Sequence, residues 1–364
     1  MDKKQYGEAM NESPLSVSST IFIGTYTSDS SKGIYEARFL PETGSFESGD
    51  PTLVSDAVNP SFLAWKEDQD ILYAVNEVEK GGISAFKLDD DSKTFKLMNH
   101  VPSEGSAPCH VSISHSGKIV ASANYSTGNV ITYSINEDGS LSDNVTEFMN
   151  EGELGPTSRQ DKPHAHCGMF AKDDRFLYVV DLGLDAIIAY PLGEEGITGE
   201  PHTAMKLDPG DGPRHMIFHP SKDMAFVITE LSNSIVSMSV DPEKGIFQKI
   251  DKKSTLPEGY SETSYCADIH ITSDGKYLYG SNRGHNSIAA FKVSDEGMLT
   301  FLETESVQGD WPRNFAISPD EKYLLVANQK SNNVTVFSID PKTGLLTFTG
   351  NQLKAYNPVC VIFK

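Results

Sequence analysis

A pattern of about fifty residues recurs along this chain, and it limits the fold more than any single motif. Asp274-Gly275-Lys276-Tyr277-Leu278-Tyr279-Gly280-Ser281-Asn282 is echoed by Asp320-Glu321-Lys322-Tyr323-Leu324-Leu325-Val326-Ala327-Asn328. Each is followed by Asn-Ser-Ile or Asn-Asn-Val and then by an alternating apolar run, Ile288 to Val293 and Val334 to Ile339. Aligning these and four earlier copies places repeat starts at Pro60, Pro108, Ala165, Pro213, Cys266, Pro312 and Pro358, spaced 46 to 57 residues apart. Within a repeat the period is two, and turn clusters such as Pro341-Lys342-Thr343-Gly344 separate the runs. Such alternation marks short antiparallel strands, and four of them per repeat is the signature of a propeller blade. No segment longer than a turn has helical period.

The expected fold is therefore all-β: a seven-bladed β-propeller with four antiparallel strands per blade. Only one strand's length of chain, Val359 to Lys364, follows the last start. Thr20 to Gly24 and Gly33 to Phe39 precede the first start and supply the strands it lacks. The N- and C-terminal strands are thus expected to close one blade, which removes the open edge between first and last. Residues 20–364 are read as a single propeller domain and residues 1–19 as a flexible polar leader.

The leader, with Asp2, Lys3, Lys4, Glu8 and Glu12, has no apolar core of a signal peptide, and no run of the chain reaches membrane-spanning length. A net charge of −21 argues against nucleic acid and anionic membranes as partners. Cys109, Cys167, Cys266 and Cys360 show no CxxC spacing and read as reduced, buried thiols of a cytoplasmic protein.

Function is expected where one copy of the repeat breaks the pattern. The residues after each start form a first set: Ser61, Cys109, His166, Arg214, Ala267, Arg313 and Val359. Those just past each second strand form another: Tyr26, Glu77, Tyr125, Leu182, Glu230, Arg283 and Gln329. A hairpin brings both sets to one end of the channel. Of only six arginines, Arg214, Arg283 and Arg313 fall in these sets. They make a cationic patch suited to a carboxylate or phosphate.

Blander readings compete with this one. Channel arginines also serve in structural ion pairs. His164 and His166 with Asp181 or Asp185 make a candidate metal site, but a further ligand is wanting and the arginines would repel the ion. No metal or other cofactor is expected. His110 and His215 are expected to turn sideways into blade packing, as is His270. Cys109 has no companion base in the sequence, and there is no nucleophile elbow, P-loop or dinucleotide fingerprint.

Six segments together resemble one family: Gly24-Thr25-Tyr26-Thr27, Pro163-His164-Ala165-His166, Asp181-Leu182-Gly183, Gly212-Pro213-Arg214-His215, Ser281-Asn282-Arg283-Gly284-His285 and Trp311-Pro312-Arg313-Asn314. In this order they resemble the seven-bladed lactonases, which include the propeller type of 6-phosphogluconolactonase and the fungal carboxymuconate cyclase. The likeness runs from Thr20 to the C-terminus. It implies that His166, Arg214, Glu230 and Arg283 are catalytic, the four that the repeat had already singled out. His164, Asp181, Asn282 and Arg313, in or beside the motifs, are expected to bind substrate.

The expected activity is hydrolysis of 6-phosphogluconolactone in the pentose phosphate pathway, with a small anionic lactone as the substrate. His166 is assigned as general base, and Glu230 as its orienting group or the holder of the water. Arg214 is assigned to the oxyanion, and Arg283 with Arg313 to the phosphate. A lactonising cycloisomerase and a non-catalytic propeller that binds an anionic metabolite or a protein are the alternatives. Oligomeric state is not legible. The lack of Trp-Asp dipeptides and of a recurring Gly-His signature argues against a WD40 scaffold.

Overall fold

The computed structural model describes residues 18–28, 30–89, 91–194 and 196–364. They form seven antiparallel sheets arranged as the blades of a propeller. The expected leader falls at residues 1–17 outside that description. In chain order the innermost strands are Leu63–Lys66, Pro108–Ile113, Ala165–Phe170, Pro213–Phe218, Tyr265–Ile271, Pro312–Ile317 and Pro358–Phe363. These define blades 1 to 7. Five of the seven repeat starts coincide with a strand start. Tyr265 precedes the expected Cys266 by one residue, and blade 1 begins at Leu63 rather than Pro60. There the chain turns instead: Asn59 has φ +43° and Ser61 donates its N–H to the Asn59 carbonyl at 2.7 Å.

Blade 7 closes the ring as expected. Ser19–Thr25 pairs with Gly33–Leu40 on one side and with Pro358–Phe363 on the other, Ile21 opposite Phe363 and Ile23 opposite Val361. Blades 3 and 7 depart from four strands because the outermost position is shared by two short pieces. Gly196–Ile197 and His202–Lys206 both pair with Ala186–Gly193, while Ser45–Phe46 and Thr52–Asp56 both pair with Gly33–Leu40. Among the described residues the only helical piece is the 3-10 turn Glu67–Gln69. No helix there is long and apolar enough to cross a membrane.

Each blade lies between two others, so its middle strands bury both faces. Ile71–Asn76 and Ile119–Asn124 are buried at all six positions. The outer strand meets neighbours on fewer sides, and Leu141–Met149 is mostly exposed or half-buried. The core is accordingly a ring of seven apolar clusters. One of them joins Tyr73, Val75 and Ile83 of blade 1 to Val120, Ile131 and Tyr133 of blade 2. Burying one such side chain stabilises the fold by about 2 kcal/mol.

One local feature of the inner strands prepares the functional site. Where Pro108, Ala165, Pro213, Pro312 and Pro358 begin a strand, the register slips across the next residue. Ala165 faces Asp181 and Cys167 faces Val180, so His166 is left over; the same slip leaves over Cys109, Arg214, Arg313 and Val359. An unpaired bulge residue is free to aim its side chain away from the sheet's alternation. In blade 5 the bulge is of another kind: Ala267 and Asp268 together stand opposite the single Ser281, between the pairs Cys266–Asn282 and Ile269–Gly280.

Candidate active site

The two sets expected to converge do so at one mouth of the channel, around a cavity of about 200 Å³. The bulges contribute Cys109, His166 and Arg313. The positions at or just past the second strands contribute Tyr26, Glu77, Tyr125, Glu230 and Arg283. A ninth lining residue, Arg159, comes from the linker before blade 3. Three guanidinium groups and two carboxylates thus share a small space in a strongly acidic protein.

Glu230 is the hub of one wall. Its Oε1 accepts Arg159 Nη2 at 2.9 Å, and its Oε2 lies 2.8 Å from Arg283 Nη2 and 3.2 Å from Arg214 Nε. Burial alone would raise this carboxyl, but Arg283, Arg214 and Arg159 outweigh it and hold it down to about 2. Arg283 is anchored further by the Cys266 carbonyl at 2.9 Å and lies over the Trp311 ring at 5.5 Å. Its Nη1 has no hydrogen-bond partner among the described residues. Glu230 makes no hydrogen bond or ion pair with His166, and in place of the expected orienting role it serves as counter-ion to three arginines.

Arg214 does not line the cavity. It is 2 % exposed and lies beneath, donating from Nη1 to the Ala267 carbonyl at 2.6 Å and meeting His215 Nε2 at 3.2 Å. Its Nε faces Glu230 without the alignment of a hydrogen bond. Burial, then Arg283 and Arg313, push its pKa down to about 10. The expected oxyanion role therefore does not suit its position.

His166 is buried between the walls. Burial, with Arg214, His215 and Arg313 nearby, holds it well below the usual histidine range, so the ring is neutral at pH 7. Its Nδ1 lies 3.6 Å from Cys109 Sγ, and Nε2 is left without a partner among the described residues. Cys109, which had no companion base in the sequence, thus has one in space. The thiol, however, lies within 3.5 to 3.8 Å of the carbonyls of His166, Ala123 and Ala165, and burial pushes its pKa up. Carbonyl dipoles and burial both disfavour the thiolate that a nucleophile requires.

The opposite wall is looser. Tyr26 donates its hydroxyl to Glu77 Oε2 at 2.9 Å, and Arg313 lies over the Tyr26 ring at 5.3 Å. Glu77 Oε2 is 3.8 Å from Arg313 Nη2, too far for a hydrogen bond. The Arg313 guanidinium therefore has no hydrogen-bonded partner among the described residues. Burial works to lower its pKa, but Tyr26 and Glu77 outweigh that and the group stays cationic.

Three expected substrate-binding residues are spent elsewhere. His164 uses both ring nitrogens, on the Tyr125 carbonyl at 2.8 Å and on Asp161 at 3.0 Å, and stacks on the Tyr125 ring. Asp181 accepts the backbone N–H groups of His164 and Leu184 and the amide of Asn150. Asn282 binds Thr255 and Ser287. Each fixes a loop behind the cavity. His164, His166 and Asp181 do not converge, and no cluster of three metal-ligating side chains occurs among the described residues.

Arg159 escaped the sequence analysis because its loop lies outside the repeat. The longest spacing, from Pro108 to Ala165, was the available signal. The insert is firmly held: Gln160 donates to the Leu182 carbonyl at 2.9 Å, and a side chain at Gly183 would meet the Lys162 carbonyl at 1.9 Å. From that loop Arg159 bridges Tyr125 Oη, at 2.8 Å, and Glu230.

A larger cavity of about 610 Å³ opens at the other end of the channel, between the later halves of the inner strands. It is lined mainly by apolar side chains such as Ile271, Ile317 and Phe363 and by no arginine. His110, His215 and His270 border it. They turn into the channel, not sideways into blade packing, because the bulges at Cys109, at Arg214 and at Ala267–Asp268 rotate the strand beyond them.

The fold is that of a seven-bladed propeller with a small cavity, lined by three guanidinium groups, at one mouth of its channel. The chain belongs to the lactonase family with a 7-bladed β-propeller, whose model matches residues 20–363. It is 37% identical over 344 residues to 6-phosphogluconolactonase of Bacillus subtilis, covering 94% of this chain and 97% of that one. Among solved structures, a protein from Lactobacillus plantarum superposes with a TM-score of 0.88 at 32% identity, covering 96% of this chain and all of that one. The periplasmic gluconolactonase of Pseudomonas aeruginosa superposes with a TM-score of 0.87 at 30% identity, covering 95% and 99%.

Proposed function

We propose that the protein hydrolyses 6-phosphogluconolactone to 6-phosphogluconate. One observation supports this above all: a neutral imidazole with an open Nε2 and a guanidinium with no hydrogen-bonded partner line the same small cavity. Ester hydrolysis needs a base for water, and a phosphorylated substrate needs a cationic anchor.

In this mechanism His166 Nε2 accepts a proton from water as its oxygen bonds to the lactone carbonyl carbon. Arg283, through its unused Nη1, stabilises the oxyanion that develops, a contact typically worth about 3 kcal/mol. Collapse breaks the ring C–O bond, and the proton on His166 passes to the leaving ring oxygen. Arg313 holds the phosphate. Of the three arginines that line the cavity, Arg283 and Arg313 thus divide the substrate, while Arg159 braces Glu230 and Arg214 supports it from below. A cytoplasmic setting accompanies this reading, supported by four free, buried cysteines among the described residues.

The names of two relatives frame the test, because one specifies a phosphorylated lactone and the other does not. Purified protein should hydrolyse 6-phosphogluconolactone with a kcat/KM at least about tenfold above that for gluconolactone, the yield of one charge-assisted contact. Equal rates would remove the phosphate from the proposal, and hydrolysis of neither would refute it.

A further inference from the structure

We infer that Asp268 and His215 are positioning residues, which hold Arg214, and through it the Glu230 hub, from beneath the cavity. The inference rests on the lactonase reading for its kinetic consequence but on geometry alone for the arrangement.

The two-residue bulge of blade 5 presents two acceptors to blade 4. The Ala267 carbonyl takes Arg214 Nη1 at 2.6 Å, and Asp268 Oδ1 lies 2.8 Å from His215 Nδ1. The carboxylate is itself fixed from several directions. Its Oδ2 accepts Asn314 Nδ2 at 2.5 Å and the Phe315 N–H at 3.2 Å, and meets His270 Nε2 at 3.0 Å. The Ser281 hydroxyl accepts the Asp268 N–H at 3.0 Å. An acceptor thus held, 3 % exposed, requires the hydrogen of His215 to sit on Nδ1. The lone pair is then on Nε2, which faces Arg214 Nη1 at 3.2 Å, and arginine can only donate.

The column Asp268, His215, Arg214 therefore alternates acceptor and donor without conflict, and ends on the ion pair of Arg214 with Glu230. With the other tautomer, or with a doubly protonated ring, an N–H of His215 would point at an N–H of Arg214. A buried carboxylate that sets a histidine's tautomer does so elsewhere in catalysis. Here the histidine touches an arginine and not the substrate. His215 and Asp268 also border the larger cavity, so the mouth that carries no lactone chemistry supports the one that does.

Asp268→Asn tests this. To keep Asn314 and Phe315 satisfied, the amide oxygen stays on their side and its NH2 faces His215. That forces the hydrogen onto Nε2 and against Arg214. We expect kcat/KM to fall roughly a hundredfold, the scale of a misplacement of about 1 Å at a charged site. His215→Phe should fall by a similar factor. The double variant should be no worse than the poorer single, because both changes break one chain of contacts. Losses that multiply in the double variant would overturn the inference, as would full activity in Asp268→Asn.

Nitrogen-15 NMR of histidine-labelled wild-type protein, with His215 assigned through its own backbone resonances, needs no variant. It should show hydrogen on Nδ1 and a bare Nε2. Hydrogen on Nε2 would overturn the inference even if both variants failed to fold. Wild-type protein inert toward every lactone would refute the lactonase reading alone, since the tautomer is read without activity.

Discussion

The two walls of the cavity each carry a glutamate at the same position of the repeat, and the two differ in every partner. Glu230, from blade 4, is met by three guanidinium groups and is buried. Glu77, from blade 1, accepts one tyrosine hydroxyl and keeps its nearest arginine at 3.8 Å. Neighbouring bulges make the difference. Arg214 rises beneath Glu230 on its own blade, whereas the matching residue of blade 1 is Ser61, whose hydroxyl has no hydrogen-bond partner among the described residues. A saturated wall has a fixed shape and little left for a ligand. An open wall keeps donors in reserve. Binding energy for an anion should therefore come from the side of Glu77 and Arg313, and pre-organisation from the side of Glu230.

The largest effect is expected between the walls. His166→Asn should lower kcat by roughly two to four orders of magnitude with the fold intact, the usual scale for a lost general base. Wild-type activity should also hold as pH falls through the usual histidine value near 6.5. The base must be neutral, and burial with nearby arginines keeps His166 neutral to well below that point. An acid limb near 6.5, or near-normal turnover in the variant, would take the chemistry away from His166 and leave the walls as ion-pair architecture.

Breaking the hubs compares the walls directly. Glu230→Gln removes the counter-ion of three guanidinium groups. Loss of one partner of a buried ion pair costs about 3–5 kcal/mol, so Tm and activity should fall together. Glu77→Gln removes the charge from a half-buried site but leaves an amide oxygen that can still accept the Tyr26 hydroxyl, and should cost no more than about 1 kcal/mol of stability. Denaturant titration of the two variants measures the difference. Equal costs would mean that the saturated and open walls are alike in energy.

The blades were legible because each must solve the same packing problem, and so repeats the same alternation and turns. The first set was legible as well, since a bulge at a fixed place in the repeat marks Cys109, His166, Arg214 and Arg313 in phase. What a bulge does not specify is how far each side chain turns. Arg214 points beneath the cavity and His215 into the channel, although register alone assigns Arg214 to the mouth and His215 to the blade interior. Those directions are set by partners on blade 5, Ala267 and Asp268, which pattern on one strand cannot reveal. Arg159 was hidden for another reason: it stands in an insert without period, positioned by Gln160, Gly183 and Tyr125. His164, Asp181 and Asn282 lie in motifs beside the site and hold its loops, and adjacency in sequence does not separate a lining residue from its support.

The smallest effect sharpens the comparison most, because it separates two arginines that both face the cavity. Arg283 gives Nε and Nη2 to backbone carbonyls and Glu230; Arg313 gives no hydrogen bond to any described residue. A lost charge-assisted contact is worth about 1.5–3 kcal/mol, or roughly ten- to a hundredfold in kcat/KM. If Arg313 holds the phosphate, Arg313→Ala should lower kcat/KM by that factor on the phosphorylated lactone and leave the unphosphorylated one nearly unchanged. Arg283→Ala should harm both substrates alike, because both share the ester, and should also loosen Glu230. Measuring both variants on both lactones decides the matter. Selective loss in Arg283→Ala would exchange the roles and place the anion against the saturated wall. Equal losses in Arg313→Ala would show that its unpaired fork serves the shared part of the substrate.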